Sequence, residues 1–441
     1  MNICLTFHSR PIKFLFSLYR SKGRRMGSKK RIVITGMGTL NALAGNVADF
    51  ATALQKGQCG IKAIDLFDTT GFRSQTGGQI KNFVAGDYIP SDFSIKRMSR
   101  ADKLSLAATV QALRDAGLYP LPHKFKEETG IVLGGGAGGL LEAEPFYRDY
   151  LNRDGRNAKF STLSSLFCAS SADRIASALG LTGPKSTFMT ACSAGATAIG
   201  CARDLIVNDD ASIMITGGVE PMSRLTYAAF NALKSVDPET CRPFDKERAG
   251  LSLGEAAAIL ILESLGSALQ RGAKIYGEIL GYGITCDSYH MTAPDEQASG
   301  AVRSMQAALQ DSSLSSEQID YINAHGTATP VNDVTETRAI KVVFGKRAYS
   351  IPVSSTKSMH AHTLGASGAL EAVVSILAIQ QGFIPPTINY RQSDPACDLD
   401  YVTSGSRRAD LRTVLSNSFA FGGNNTTLIF GKYSEKGTAH E

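Results

Sequence analysis

Short apolar, β-rich runs alternate with amphipathic helical runs along most of the chain, and this alternation limits the fold more than any other feature. In the first part it predicts strands at 31–37, 129–133, 185–190, 212–216 and 256–262 and helices at 103–116 and 193–207. From Lys274 the cycle restarts, with strands at 276–280, 319–323, near 353, 414–419 and 426–430 and helices at 301–310, 335–344 and 368–380. Such alternation is typical of an α/β fold on a mostly parallel sheet. We therefore predict two similar halves, residues 26–270 and 271–441.

The charge of the chain is concentrated at its N-terminus. Six of the 46 Lys and Arg residues lie within residues 1–25, which contain no Asp or Glu, so the remainder carries 40 residues of each sign. A body without net charge argues against nucleic acid as a partner. Residues 1–25 are interpreted as a leader, either a transit peptide or a stretch upstream of a true start at Met26. The first alternative predicts the mitochondrial matrix or a plastid, and the second a bacterial-type cytoplasmic protein.

Neither the cysteine spacing nor the hydropathy of the chain suggests a disulfide framework, a metal site or a membrane span. The eight cysteines lie far apart, without C-x-x-C or Cys/His clusters at zinc spacing. Apolar runs stay below the roughly 18 residues that a transmembrane helix needs. We expect a protein of a reducing compartment that binds no metal.

The glycine run GGGAGG at 134–139 satisfies the dinucleotide fingerprint G-x-G-x-x-G and follows a predicted strand. The residues after it are not followed by a clean second strand ending in an acidic residue. The run therefore favours close backbone packing or pocket lining, because glycine permits both. A nicotinamide-dependent oxidoreductase is the remote alternative.

Cys192 lies where a predicted strand gives way to a helix. The unpaired N–H groups at a helix N-terminus stabilise a thiolate. The small neighbours Ala191, Ser193, Ala194 and Gly195 leave room for a substrate. A buried core cysteine is the commoner fate of a free thiol, and we expect Cys168, Cys201 and Cys286 to be such residues. At Cys192 the position favours a nucleophile.

Three of the seven histidines lie at strand ends, where α/β folds place ligand sites. His325 directly follows a predicted strand, and His360 and His362 lie at another strand-to-helix junction. A nucleophilic cysteine requires such partners. One cysteine and histidines from two further strand ends therefore predict a convergent site.

Four motifs carry a family resemblance: TACSAGA around Cys192, NAHGTATPVND around His325, STKSMHAHTLGASG around His362, and NSFAFGGNN at 417–425. RPFDKERAGLSLGE at 242–255 adds a fifth block. In this order and at these separations they resemble the β-ketoacyl-acyl-carrier-protein synthases, condensing enzymes of the thiolase-like superfamily. The resemblance spans about residues 30–432. It implies a thiolase-like duplicated five-layer αβαβα fold, a homodimer, and decarboxylative Claisen condensation of malonyl and acyl groups on an acyl carrier protein, without a cofactor.

The resemblance also implies roles for individual residues. The nucleophile falls on Cys192 and the two catalytic histidines on His325 and His362, the set expected of elongating enzymes. The motif lysine and glutamate fall on Lys357 and Glu371.

Substrate-binding roles are implied in the same way. Thr327 and Thr329 match threonines that bind the phosphopantetheine arm. Phe421 matches a gating residue whose backbone N–H forms an oxyanion hole with that of Cys192. Ala137 stands where some members have a larger residue that limits chain length, and Leu251 stands where phenylalanine is common, so both are expected in the acyl pocket.

Other details leave alternatives open. His360 and Ala361 replace a commoner Thr-Gly, so the role of His360 is open. A polyketide or specialised-lipid ketosynthase would use the same machinery. A non-catalytic partner subunit of a heterodimeric synthase would keep the fold, but the retained Cys192, His325 and His362 argue against it.

An acidic carrier protein requires a basic docking surface near the pocket. The segment SIKRMSRADK supplies four cations that we expect to form it: Lys96, Arg97, Arg100 and Lys103.

Overall fold

A computed structural model describes residues 30–152, 155 and 159–435, so the leader at 1–25 lies outside the described residues. The strands are β1 Ile32–Asn41, β2 Lys62–Ala63, β3 Thr76–Gly77, β4 Thr129–Gly134, β5 Lys185–Phe188, β6 Ile213–Glu220, β7 Ala256–Ser264, β8 Gly277–Cys286, β9 Tyr321–Asn323, β10 Val353–Ser354, β11 Phe383–Ile384, β12 Arg407–Arg408, β13 Thr413–Ala420 and β14 Asn424–Gly431. The helices are α1 Val47–Gln55, α2 Arg100–Asp115, α3 His123–Lys126, α4 Leu140–Asn152, α5 Ala169–Leu179, α6 Ala194–Val207, α7 Arg224–Ala232, α8 Leu265–Gln270, α9 Ser299–Ser312, α10 Pro330–Phe344, α11 Lys357–His360 and α12 Ser367–Gln381.

Ten strands form one hydrogen-bonded sheet in the order β10-β9-β13-β14-β8-β1-β7-β6-β4-β5. It divides naturally between β8 and β1, which pair through only two residue pairs, Val33 with Glu278 and Ile34 with Gly277. On each side the strand order is the same: the first strand lies beside the fifth, followed by the fourth, the second and the third. The pairing directions also agree, antiparallel for the first two contacts and parallel for the last two. The chain therefore builds one topology twice.

Helices cover both faces of each half. Helices α2 and α5 pack on the outer face of the first half, and α9, with α10 against it, on the outer face of the second. Helices α6 and α12 contact each other and strands of both halves, so they form a shared central layer. Three apolar clusters fill the spaces between these layers. The arrangement is the predicted five-layer αβαβα fold.

Among the described residues, one segment resembles a membrane span, and it contains helix α12. Leu364–Gln381 is apolar enough and long enough to cross a bilayer, contrary to the sequence-based expectation that no run reaches this length. However, 83% of this segment is buried inside the protein. The segment is mostly apolar because it is packed between the two halves of the sheet and has almost no face toward solvent.

Most predicted elements exist, with shifted ends. Strand β6 continues to Glu220 and α2 begins at Arg100, beyond the predicted 212–216 and 103–116. The connections at 138–165 and 220–250 contain α4 and α7, which were not predicted. From Arg31 onward the chain forms one compact unit, and the predicted boundary at 270/271 falls between α8 and β8.

Candidate active site

Cys192 lies in a short 3-10 turn, Ala191–Ser193, that connects the end of β5 to α6. Ala191 has a φ of 48°, a left-handed conformation that L residues adopt only under local constraint. The end of β4 packs tightly beneath this turn, because a Cβ on Gly134 would lie 2.3 Å from the backbone of Ala194. Sequence and packing thus fix the thiol at the start of the central helix α6.

Two effects oppose each other at this thiol. Burial raises the pKa of Cys192 to about 12, while the nearby Lys357 ammonium and the backbone N–H groups of Phe421 and Cys192 lower it. Burial is the largest of these effects, so the surroundings of Cys192 favour the thiol over the thiolate that the helix N-terminus is expected to stabilise. The N–H groups of Cys192 and Phe421 nevertheless face the sulfur, as an oxyanion hole requires.

His325 follows β9, in a turn held by a buried carboxylate. The backbone N–H groups of His325 and Gly326 each donate to Glu336 at 2.8 Å, and Asn417 donates to the same carboxylate at 3.1 Å. Nδ1 of His325 is buried and has no hydrogen-bond partner among the described residues. These hydrogen bonds fix the backbone of His325, while Nδ1 of its ring can form a hydrogen bond with a bound substrate.

The hydrogen bonds of His362 determine its tautomer. The backbone N–H of Leu364 donates to Nδ1 of His362 at 3.2 Å, and the Ser367 hydroxyl lies 2.8 Å from the same atom. Since Nδ1 is an acceptor, the neutral ring carries its proton on Nε2. His362 can therefore present an N–H donor.

The rings of His325 and His362 lie together, with centroids 5.3 Å apart and nearly perpendicular planes. Burial and the charge of Lys357 hold the pKa of both rings well below 6.5. Both imidazoles are consequently neutral at physiological pH. Two neutral N–H donors beside a thiol can stabilise a developing negative charge without donating a full proton.

Lys357 supplies the positive charge of this site and is itself buried. Its ammonium forms an ion pair with Glu371 of α12, which is also fully buried. Burial raises the pKa of Glu371 to about 7, although Lys357 acts in the opposite direction. The charge of Lys357 lowers the pKa of the Cys192 thiol and of both rings, so Lys357 acts on the site through its field.

One cavity of about 330 Å³ collects most of the predicted site residues. It is lined by Cys192, His325, His362, Thr327, Thr329, Leu251 and Phe421, among others. The hydroxyl oxygens of Thr327 and Thr329 lie 3.1 Å apart. The Phe421 ring stacks on Phe230 of α7 at a centroid distance of 5.8 Å, so an aromatic pair covers one wall.

Two predicted residues lie elsewhere. His360 is absent from the lining of this cavity, and its ring nitrogens lie 2.8 Å from the Ala361 carbonyl oxygen and 3.0 Å from the Thr356 hydroxyl. Burial lowers the pKa of His360 to about 3, so it is a satisfied core residue. Ala137 lies in the turn after β4, where its N–H donates to Glu220, and it is not among the residues lining the cavity.

The prediction that Arg100 belongs to the docking surface is wrong. Its guanidinium forms an ion pair with the buried Glu255 at 2.6 Å and donates to the Ile80 carbonyl. An arginine held in this way is unavailable to a partner. Lys96 and Arg97 are exposed and Lys103 is half-buried, so these three remain a prediction.

The glycine run at 134–139 provides no room for a dinucleotide. A Cβ at Gly135 would lie 2.8 Å from the Val219 carbonyl, and one at Gly139 would lie 2.2 Å from the Ser165 carbonyl. The protein's own backbone fills the space that a pyrophosphate would require. The glycines are explained by close packing.

Sequence reasoning missed several residues that act through the backbone or at the entrance. Glu336 holds the His325 turn, Glu220 contacts the turn after His362, and Phe230 and Lys234 line the cavity. Within the described ranges, groups of three His, Cys, Asp or Glu residues that could hold a metal ion are absent.

Two family models account for most of the chain. Residues 29–268 match the N-terminal domain of beta-ketoacyl synthase and residues 276–391 its C-terminal domain. The chain belongs to the β-ketoacyl synthase family. It is therefore a condensing enzyme, in chemical terms an acyltransferase.

Characterised members of the β-ketoacyl synthase family are similar over nearly their whole length. The 3-oxoacyl-[acyl-carrier-protein] synthase 2 of Synechocystis sp. is 44% identical over 412 residues, covering 92% of this chain and 99% of that protein. The Staphylococcus aureus protein of the same name is 39% identical over 414 residues, covering 92% and 100%.

Solved structures of the family have the same fold. The ishigamide ketosynthase/chain length factor superposes with a TM-score of 0.86 at 36% identity, covering 92% of this chain and all of that one. A beta-ketoacyl synthase from Burkholderia phymatum gives 0.85 at 34% identity, with the same coverage. The thiolase-like fold expected from the sequence is confirmed.

Proposed function

We propose that this chain is a 3-oxoacyl-[acyl-carrier-protein] synthase that elongates fatty acyl chains. The observation that carries the proposal is one cavity lined by a thiol at a helix start and by two neutral imidazoles 5.3 Å apart. This set suits acyl transfer to sulfur followed by formation of an enolate. The 44% identity to a protein of this name supports the fatty-acid substrate class.

In the first step the sulfur of Cys192 attacks the thioester of an acyl carrier. The oxyanion of the tetrahedral intermediate accepts hydrogen bonds from the N–H groups of Cys192 and Phe421, each worth roughly 3 kcal/mol of barrier by analogy with other acyl-transfer sites. The thiol proton passes through a neutral imidazole to the departing pantetheine thiol. The acyl group is then bound to Cys192, and protons are conserved.

In the second step a malonyl carrier occupies the cavity, with its pantetheine arm at Thr327 and Thr329. Its carboxylate leaves as CO2, and the remaining electron pair forms an enolate whose oxygen accepts hydrogen bonds from His325 and His362. The enolate carbon attacks the acyl thioester, the bond between the acyl carbon and sulfur breaks, and the departing Cys192 thiolate takes up one proton from solvent water. Loss of CO2 drives formation of the carbon–carbon bond.

The test is incubation with malonyl carrier and acyl carriers of graded chain length, with products identified by mass. We expect products two carbons longer from the native protein and none from Cys192→Ala. Cys201→Ala is the matched control, because it removes a thiol from α6, the helix that follows Cys192, at a position outside the cavity. Elongation that survives in Cys192→Ala would refute the mechanism.

A polyketide or specialised-lipid ketosynthase is the second candidate. The solved structures similar to this chain include the type II polyketide complex AntDE:AntF, with a TM-score of 0.82 at 30% identity. The same incubation separates the two, because repeated condensation without an intervening reduction yields poly-keto products.

We propose that the docking surface for the acidic carrier consists of Lys96, Arg97 and Lys103 together with Lys234, which lines the cavity. Reversing the charges of Lys96 and Arg97 should raise the Michaelis constant for carrier-bound thioesters and leave that for small thioesters unchanged. Equal effects on both substrates would exclude these residues from docking.

We further propose a homodimer built around the edge strand β5. Strand β5 ends the described sheet, Met189 directly after it is 65% exposed, and Phe167, two residues before α5, is 76% exposed, so both present apolar surface. Phe167→Asp should yield a monomer by light scattering. Val342→Asp, at an exposed position on α10, is the matched control.

We propose a cytoplasmic location with a start at Met26, supported by the balance of charges after residue 25. The alternative is the mitochondrial matrix or a plastid, with residues 1–25 as a transit peptide. N-terminal sequencing of the natural protein, combined with fractionation of its cells, distinguishes the two.

A further inference from the structure

Glu220 is a buried carboxylate that takes no part in the steps above. It ends β6 and is 1% exposed. One oxygen accepts a hydrogen bond from the N–H of Ala137 at 2.5 Å, and the other accepts from the N–H of Gly365 at 3.0 Å. Lys, Arg and His side chains within ion-pair distance are absent from the described part of the chain. Burial raises the pKa of Glu220 to about 7, although the backbone N–H groups of Ala137, Gly365 and Gly136 lower it. A buried carboxyl group held only by backbone donors indicates a specific requirement.

The N–H groups that Glu220 binds come from both halves of the chain. Ala137 follows β4 in the first half, whereas Gly365 lies in the 3-10 turn Leu364–Ala366 that leads into α12 in the second. Leu364, which precedes Gly365, has a φ of 44°. Its N–H is the group that donates to Nδ1 of His362. Glu220 therefore binds Gly365, the residue next to Leu364, whose N–H sets the tautomer of His362.

We propose that Glu220 is a positioning residue for His362: its carboxylate holds the Leu364–Ala366 turn so that the Leu364 N–H binds Nδ1 and the Nε2 proton is presented to the enolate. The inference rests on the proposed function, since it assigns a cause to the orientation of His362 in that reaction. It involves no contact between Glu220 and substrate.

The surroundings of Glu220 are shaped for a carboxylate. A Cβ on Gly365 would lie 2.6 Å from its Oε2, and a Cβ on Gly136 would lie 3.1 Å from it, so both neighbours are close because they are glycines. A carboxylate can accept hydrogen bonds at both oxygens, whereas an amide would turn an N–H toward one of the two donors. Glutamine therefore fits the space but cannot make both bonds.

The charge of Glu220 also acts on the nucleophile. It raises the pKa of Cys192, in opposition to Lys357, which lowers it. A variant that removes the charge should therefore shift reactivity of the thiol to lower pH. A variant that shortens the side chain but keeps the charge should not. This difference separates positioning from loss of fold.

The experiment compares Glu220→Gln and Glu220→Asp. Decarboxylation of malonyl-pantetheine is followed by CO2 release, and alkylation of Cys192 by iodoacetamide is followed against pH. We expect kcat for decarboxylation to fall about tenfold in both variants with little change in KM, because a buried N–H loses its acceptor. The alkylation profile should move to lower pH only in Glu220→Gln.

Glu263→Gln is the matched control. Glu263 is also fully buried, but it lies on β7 opposite Ile213, the first residue of β6, and its carboxylate accepts a hydrogen bond from the Arg271 guanidinium at 2.9 Å. Its substitution therefore perturbs a buried carboxylate away from His362. This variant should keep both the decarboxylation rate and the alkylation profile of the native protein. If it reproduced the loss seen in Glu220→Gln, that loss would reflect general destabilisation.

Nitrogen-15 NMR of histidine-labelled native protein provides a test that does not depend on a variant's folding. We expect the signal of His362 Nδ1 to be that of an unprotonated nitrogen. A protonated Nδ1, or decarboxylation within twofold of the native rate in either folded Glu220 variant, overturns the inference. If the native protein shows the expected tautomer but does not elongate acyl carriers, the proposed function fails and the inference about Glu220 stands as a structural statement.

Discussion

Replacing Lys357 with methionine tests two effects of the buried ion pair: its contribution to stability and its influence on the pKa of His325 and His362. The ammonium and its partner Glu371 are both fully buried, so the single substitution leaves a carboxylate without a counter-ion in the central layer. Removing one partner of a buried pair costs about 3–5 kcal/mol. We expect that loss in the free energy of unfolding, measured in urea by circular dichroism because the chain contains no tryptophan.

The double variant Lys357→Met with Glu371→Met is the matched control for stability. Replacing a whole buried pair with apolar residues of similar volume is often neutral or stabilising, so most of the loss should be recovered. The effect on the histidines should persist, because both variants lack the positive charge that lowers the pKa of His325 and His362.

The sign of the pH effect follows directly. Without Lys357 an imidazolium is less unfavourable, so the pKa of both rings rises and more of each is protonated at a given pH. The acid limb of malonyl decarboxylation should therefore move to higher pH in both variants. Unchanged stability in the single variant would refute the burial argument. An unchanged acid limb in the double variant would refute the assignment of Lys357 as the source of the field.

Three further predictions concern residues whose roles differ from the sequence-based expectation or stay untested. His360→Ala should lower the free energy of unfolding by about 2 kcal/mol, because a satisfied buried ring is lost, and leave decarboxylation within a few-fold; a loss equal to that of a catalytic histidine would contradict it. Arg100→Ala should cost about 3–5 kcal/mol by leaving Glu255 unpaired, whereas Lys96→Ala should stay within about 0.5 kcal/mol, both measured by urea unfolding; equal losses would disprove the distinction. Ala137→Ile should shift the product profile to shorter acyl chains if Ala137 opens the pocket floor, and an unchanged profile would remove it from the acyl pocket.

The site was most predictable where chemistry follows directly from a strand end. Cys192 follows β5 in the first half and His325 follows β9 in the second half. Each lies within a few residues of its strand, so the short-range sequence pattern was sufficient to place both at strand ends. Glu220 and Glu336 could not be assigned in this way, because they bind backbone N–H groups, which carry no signature of residue type. The available signal for Glu220 was an acidic residue ending an otherwise apolar run.

Arg100 shows the opposite failure. Its neighbours in sequence are basic, and this local pattern predicted a docking surface. Its actual partner, Glu255, lies 155 positions later in the chain and becomes a neighbour only after folding. His360 was ambiguous for a different reason. Its ring is satisfied by the Thr356 hydroxyl and the Ala361 carbonyl, but in the sequence it stands only two residues from His362.

The repetition of one strand order in both halves has a consequence for how this catalyst can change. The thiol comes from the first copy and both imidazoles from the second, while helices α6 and α12 share the space between the copies. Neither copy can shift its central helix by an ångström without carrying a reacting group away from the other. A substitution that moves the central helix of either copy therefore affects the chemistry of the whole site, so the two copies cannot change independently.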